Sequence, residues 1–365
     1  MTTQRRPPFA RSSAEFTRRS ALLAGASVLG GAALAACASA SSGAAGSSGS
    51  SSPSGSSGSA GRFPLTVEHR FGTTEVPAKP ERVVIVGLSE QDIVLALGVT
   101  PIAVTDWYGD QPYAVWPWAQ DLLGDAEPTV LSTADGFEFE KVAALQPDLI
   151  IGTNSGMKEA DFEKFSAFAP TVAGVKGGTD YFSPWEDQTL LVAQALGLEA
   201  EGQKLIQDVK DGYAQAASAN PEFAGKVATF SQNGFYDGLI YVYPADLGTD
   251  FLSLLGFTVN PDLAALAKPG EQAAISSERL DVIDTDVLVI AAEKASDIDA
   301  LEKVPTYTAL DVVKEQRTVY TDPVLSGAMY FVTPPSLQYV LEHLTPALKN
   351  AVAGASPAEI TGAAS

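Results

Sequence analysis

Residues 199–217 read EAEGQKLIQDVKDGYAQAA, a run with no proline and two internal glycines. Leu205, Val209 and Tyr213 recur every fourth residue with Ile206 beside them, which lays an apolar stripe along one side of a helix. Nineteen residues at 1.5 Å each span roughly 28 Å, about the width of a small domain. Strand–helix alternations precede this stretch and another set follows it. The pattern predicts a rigid strut joining two α/β lobes with a ligand cleft between them. A plain crossover helix inside one large domain is the competing reading.

A repeat on either side of the strut favours two lobes. Glu140 is followed eight residues later by Asp148, which opens LIIG; Glu278 is followed eight residues later by Asp286, which opens VLVI. Val142 and Leu145 match Leu280 and Ile283 at the same offsets, and LALG (95–98) matches SLLG (253–256). Two similar α/β units fit a bilobal protein better than a single sheet.

In the first unit, strands are expected over Val83–Gly87, Pro101–Thr105 and Asp148–Gly152. Helices are expected from an Ser89 N-cap through Leu97, over Glu138–Leu145 and over Lys158–Phe168. The second unit reads as strands over Lys226–Ser231, Leu239–Tyr243, Val287–Ala291 and Thr318–Tyr320. Its helices fall on Gly248–Leu255 and Pro335–Lys349. The segmentation is therefore an N-terminal lobe over 62–183, a helical connector over 184–220, a C-terminal lobe over 221–350 and a disordered tail over 351–365.

The first 61 residues are not fold. Residues 17–37, TRRSALLAGASVLGGAALAAC, place Arg18-Arg19 before sixteen small and apolar residues. That run is short for a membrane span and fits an export signal over 1–36. Arg18-Arg19 resembles a twin-arginine signal. Leu34-Ala35-Ala36-Cys37 resembles a bacterial lipobox, in which Cys37 takes a diacylglycerol after cleavage. Residues 38–61 are nearly all Ser, Gly and Ala, a flexible tether behind the lipidated Cys37.

The 365-residue chain has a formal charge of −21. Loss of residues 1–36 removes five arginines and one glutamate, leaving 18 basic against 43 acidic side chains and a net charge of −25. Nucleic acid is excluded as a partner, because phosphate neutralisation needs clustered Lys and Arg. Cys37 is the sole cysteine and lies outside the fold, which rules out disulfides, iron–sulfur clusters and thiolate zinc sites in the mature domain. His69 and His343, the two histidines, read as structural or solvated. The chain lacks a GxSxG elbow, an HExxH pair and a GxxxxGK[ST] loop, so nothing positive points to an enzyme.

The remaining signal is aromatic. Trp107, Tyr108, Tyr113, Trp116 and Trp118 crowd into DWYGDQPYAVWPWAQ, after the strand ending at Thr105, where open α/β sheets place ligands. Trp185 lies in TDYFSPWEDQ with Tyr181 and Phe182, and the second lobe offers Phe235, Tyr236 and Tyr330. Such rings suit an apolar or π-rich ligand; the alternative is that they fill gaps under long loops. After processing only Arg62, Arg70, Arg82, Arg279 and Arg317 remain. A strongly anionic ligand wants several cleft arginines, so a ligand of low charge is favoured.

The runs FGTTEVPAKPERVVIVG, LALGV, EKVAALQPDLIIG, FAPTV and SSERLDVIDTDVLVI together resemble the iron–siderophore substrate-binding lipoproteins of ABC importers, over about residues 64–349. The resemblance implies an α/β fold of two Rossmann-like lobes bridged by a single long α-helix, the helical-backbone periplasmic binding protein fold. It implies a monomeric, non-catalytic, membrane-anchored receptor without a resident cofactor, which captures a ferric siderophore and delivers it to an ABC permease and its ATPase. Haem and cobalamin binders belong to the same class, and for haem Tyr236 or Tyr330 would be the axial ligand. An extracytoplasmic enzyme or a sensor on the same scaffold are further alternatives. The family docks on its permease through one glutamate per lobe, and these fall on Glu140 and Glu278. Ligand contacts are expected from Trp107, Tyr108, Trp185, Tyr236, Tyr330 and Arg279.

Overall fold

A computed structural model describes residues 62–361 apart from 182, 237, 246, 293, 358 and 359; the side chains of residues 233, 236 and 361 are also undescribed. The export signal, Cys37 and the tether fall outside the described residues.

The first lobe opens with an antiparallel hairpin, β1 (Leu65–His69) and β2 (Gly72–Val76). There follow β3 (Val83–Ile85), α1 (Glu90–Ala96), β4 (Ala103–Asp106), α2 (Pro117–Leu123), β5 (Thr129–Ser132), α3 (Phe139–Ala144), β6 (Leu149–Ile151), α4 (Glu159–Ser166) and β7 (Thr171–Val172). Five of these strands form a parallel sheet in the order β5-β4-β3-β6-β7. Strands VVI and LII are buried along their whole length, as a sheet covered on both faces requires. Side chains alternate between the covers: Val83, Ile85, Leu149 and Ile151 face one core, Val84 and Ile150 the other.

Helix α5 (Trp185–Leu196) closes this lobe. Leu191, Val192, Ala195 and Leu196 belong to the same core as β1, β2 and β3, so α5 is part of the first lobe and not of the connector. The crossing is made by α6 (Glu199–Ala219), 21 residues and roughly 31 Å long. Gly202, Val209 and Tyr213 are its buried positions, whereas Leu205 and Ile206 are only half-buried. A Cβ at Gly202 would stand 2.3 Å from that of Ala193, so glycine sets how closely α6 lies on α5.

The second lobe contains β8 (Val227–Tyr236), β9 (Leu239–Tyr243), α7 (Asp250–Leu254), β10 (Thr258–Val259), β11 (Ala273–Ser276), β12 (Val287–Ala291), α8 (Ala295–Glu302), α9 (Pro305–Thr308), α10 (Asp311–Lys314), β13 (Thr318–Thr321), α11 (Pro323–Phe331), α12 (Pro334–Val352) and β14 (Ile360–Thr361). The sheet runs β11-β9-β8-β12-β13-β14, with β10 beside the start of β8. The order is parallel from β8 to β14 and antiparallel from β8 to β11. The region expected as a disordered tail is ordered in part: α12 runs on to Val352, and Ile360–Thr361 pair with Tyr320–Thr321 because the edge of β13 offers unpaired backbone groups.

The repeat has a physical meaning. Asp148 accepts hydrogen bonds from the amides of Glu81 and Arg82 (both 2.8 Å), just before β3. Asp286 accepts one from the amide of Val227 (2.8 Å), the first residue of β8. In each lobe the aspartate that opens one central strand ties down the start of its neighbour. The arginines complete the parallel: Arg82 donates to the carbonyls of Leu145 and Gln146, Arg317 to those of Thr285 and Asp286.

Candidate functional site: an aromatic layer between the lobes

Between β3 and β6 the strand order of the first sheet reverses, which is where open α/β sheets leave a crevice. Here that crevice is filled. The fully buried Glu90 carboxylate accepts from the amides of Ser89 (3.1 Å) and Asn154 (2.6 Å) and from the Thr153 hydroxyl (3.1 Å). Gly87 makes room for it, since a Cβ there would lie 2.0 Å from Oε1. Burial pushes the Glu90 carboxyl up from the ordinary range. Ser89 is the N-cap residue of α1, as expected, but makes no side-chain cap bond; its hydroxyl accepts instead from the Asn154 amide (3.0 Å).

The aromatic residues gather between the lobes. Trp107 and Tyr108 follow β4 and meet edge to face, ring centroids 4.9 Å apart. Trp107 packs on Phe331 at the end of α11 (5.3 Å), and Tyr108 faces Tyr330 (6.2 Å) and Trp116 (5.1 Å). Tyr330 reaches Phe230 of β8 (6.1 Å) and Tyr243 of β9 (6.3 Å), so the layer runs from the first lobe onto the second sheet. On its other flank Trp116 and Trp118 stack at 5.0 Å and 13°. Two glycines let Trp116 in: a Cβ at Gly109 or Gly327 would fall 2.5 or 2.7 Å from its ring. Trp107, Trp116 and Tyr330 are buried and Tyr108 is half-buried.

Asp92 locks the layer across the lobes. Its Oδ2 accepts from the Trp118 indole N–H (2.7 Å) of the first lobe and from the Thr333 hydroxyl (2.6 Å) of the second, while Oδ1 is buried with no hydrogen-bond partner among the described residues. Thr333 is also the N-cap of α12, so the same hydroxyl starts a helix and joins the lobes. Burial raises the Asp92 carboxyl to about 7. At the rim, Asp180 pairs with Arg70 (2.6 Å) and Lys158 and fixes the loop carrying Thr179 and Tyr181. A Cβ at Gly270 of the second lobe would lie 3.5 Å from the Thr179 methyl, so the rims come close there.

The other expected residues stand elsewhere. Trp185 is buried at the start of α5. Arg279 is exposed and pairs with Asp281 (3.5 Å), next to Glu278. Tyr236 ends β8, and its side chain is undescribed. Glu140 and Glu278 are both exposed, each two residues ahead of a buried anchor, Val142 or Leu280. His69 is buried against the Thr74 hydroxyl (2.9 Å), and His343 packs on Tyr339 (4.1 Å). Among the described residues no three His, Cys, Asp or Glu side chains converge on a metal position, and no helix is long and apolar enough to cross a membrane.

Two sheet-bearing lobes on one long helix, meeting at an aromatic layer, define a bilobal solute-binding protein. The chain belongs to the periplasmic binding protein family, whose model matches residues 83–325. It is 31% identical over 247 residues to the probable siderophore-binding lipoprotein YfiY of Bacillus subtilis, covering 65% of this chain and 72% of that protein. Similarity to the Fe(3+)-citrate-binding protein YfmC of the same organism is 28% over 69% of this chain and 76% of that one. Among solved structures, a periplasmic solute-binding protein from Mycobacterium smegmatis aligns with a TM-score of 0.74 at 40% identity, over 79% of this chain and 98% of that one. The iron-uptake ABC transporter substrate-binding protein PiaA of Streptococcus pneumoniae aligns at 0.66 and 25% identity, over 80% of this chain and the whole of that one.

Proposed function

We propose that this protein captures a ferric siderophore outside the cytoplasmic membrane and delivers it to an ABC import permease, acting as a receptor and not as an enzyme. The observation that carries the reading is the aromatic layer drawn from both lobes, in a family whose named relatives bind iron chelates. A chelator that already wraps the ferric ion asks the protein for contact surface, not for metal ligands. Trp107, Tyr108 and Tyr330 supply that surface. Glu140 and Glu278 present one carboxylate per lobe to cationic pockets of the permease, an arrangement that sets orientation and on-rate. Lipidated Cys37 and the tether hold the receptor at the membrane.

Tryptophan fluorescence, titrated with hydroxamate, catecholate and carboxylate ferric complexes and with haem, identifies the cargo class. The double variant Trp107→Ala/Tyr108→Ala should bind the preferred complex at least about tenfold more weakly, about 1.4 kcal/mol. Unchanged affinity removes the layer from the site. The variant Glu140→Lys/Glu278→Lys should bind cargo normally and fail in uptake; import at the wild-type rate refutes the docking assignment.

A further inference from the structure

We propose that an open groove of about 380 Å³ between α2, α6 and α12 is a second binding site, for a small organic ammonium ion, distinct from the cargo site. Its volume lies at the lower end of the range of about 300–1,000 Å³ for small-molecule pockets. Ala96, the last residue of α1, lines the groove, whereas the first residue of α1 stands at the carboxyl end of β3, roughly 10 Å along the helix.

Two of its walls are the rings of Trp118 and Tyr339, centroids 5.9 Å apart and inclined at 49°. Trp118 stacks on Trp116, meets Phe331 edge to face (5.3 Å) and donates its N–H to Asp92, and, half-buried, turns its remaining surface to the groove. Leu205 and Pro334 add apolar surface, and the charged side chains among the lining residues are the carboxylates Asp121 and Glu342, with no lysine or arginine. Aromatic faces beside carboxylates are how proteins hold ammonium groups: the ring quadrupole and the carboxylate both attract the charge, and the apolar wall takes the alkyl arms. An anion is repelled, and a neutral ligand forgoes both attractions. Burial, then Asp322 and Glu342, push the Tyr339 phenol up to about 12, in line with a negative potential at that wall. Leu205, on the solvated edge of the expected helix stripe, thereby gains a use.

The test titrates the full mature chain, labelled with 15N at its tryptophan indoles, with tetramethylammonium chloride. The neutral isostere tert-butanol and sodium chloride serve as controls. Tetramethylammonium should shift the Trp118 indole signal saturably, with an affinity at least tenfold above that of tert-butanol. The exposed pair Asp121→Asn/Glu342→Gln, which leaves the core untouched, should lose at least tenfold, and Tyr339→Leu should abolish the shift. An equal response to tert-butanol, or full affinity in the carboxylate double variant, overturns the proposal.

Discussion

Replacing Asp92 with Asn tests the inter-lobe lock through its dependence on pH. The carboxyl titrates near 3.8 when solvated and is raised to about 7 in the fold. A raised carboxyl favours folding fully below 3.8, and this contribution is lost as pH climbs through 7. The difference corresponds to about 4 kcal/mol between pH 4 and pH 8. Asparagine cannot ionise, so that loss disappears in the variant. It keeps an acceptor for Trp118 and Thr333, but its amide hydrogens point where Oδ1 now finds no partner. That defect costs about 1–3 kcal/mol at every pH. The test is therefore the slope and not the offset. Urea unfolding of both proteins at half-unit pH steps should show Asp92→Asn gaining on wild type by up to about 4 kcal/mol across this window. Glu90 and His69 titrate in both proteins and cancel in the difference. Parallel pH profiles would refute the claim that a buried, ionisable carboxylate joins the lobes.

Gly327→Ala places a methyl group 2.7 Å from the Trp116 ring and should destabilise the protein by about 1–3 kcal/mol, with weaker cargo binding, as read by thermal unfolding and titration. Tyr213→Phe removes the hydroxyl that donates to the Leu337 carbonyl (2.9 Å) and ties the strut to α12, so stability should fall by about 1 kcal/mol in a denaturant melt. Asp148→Ala and Asp286→Ala should each cost about 1–3 kcal/mol and by similar amounts, because they hold equivalent strand starts. A marked inequality in chemical denaturation would show that the repeat is one of sequence only.

The two-lobe architecture was legible because it rests on periodic and repeated features. Val209 and Tyr213 are buried at the predicted spacing, and the Asp148 and Asp286 repeat proves to be a pair of strand anchors. Strands such as Val287–Ala291 show as unbroken apolar runs because both sheet faces are covered. The edge elements were not legible: β10 and β14 have two residues each, too few to carry a period. Helix α5 was assigned to the connector because chain order does not reveal which core a helix faces.

At the site, the aromatic loop after β4 was readable from composition and position, but its partners Phe331, Phe230 and Tyr243 were not. Each lies far along the chain from the ring it meets, and only folding brings Phe331 to Trp107, and Phe230 and Tyr243 to Tyr330. Asp92 was missed for a different reason. An acidic residue in the first turn of a helix ordinarily reads as solvated and favourable to the helix dipole. The available signal was the company it keeps: Ser89, Glu90, Gln91 and Asp92 lead directly into Ile93, Val94 and Leu95, leaving this short helix no continuous polar face to present to water. All four polar residues are buried, Glu90 to close the first sheet's crevice and Asp92 to join the lobes. Polar side chains in a helix without a solvent face must find partners inside the protein. Here those partners belong to a neighbouring strand end and to the opposite lobe, so the polar turn that looked least like a site is where the two halves are fastened together.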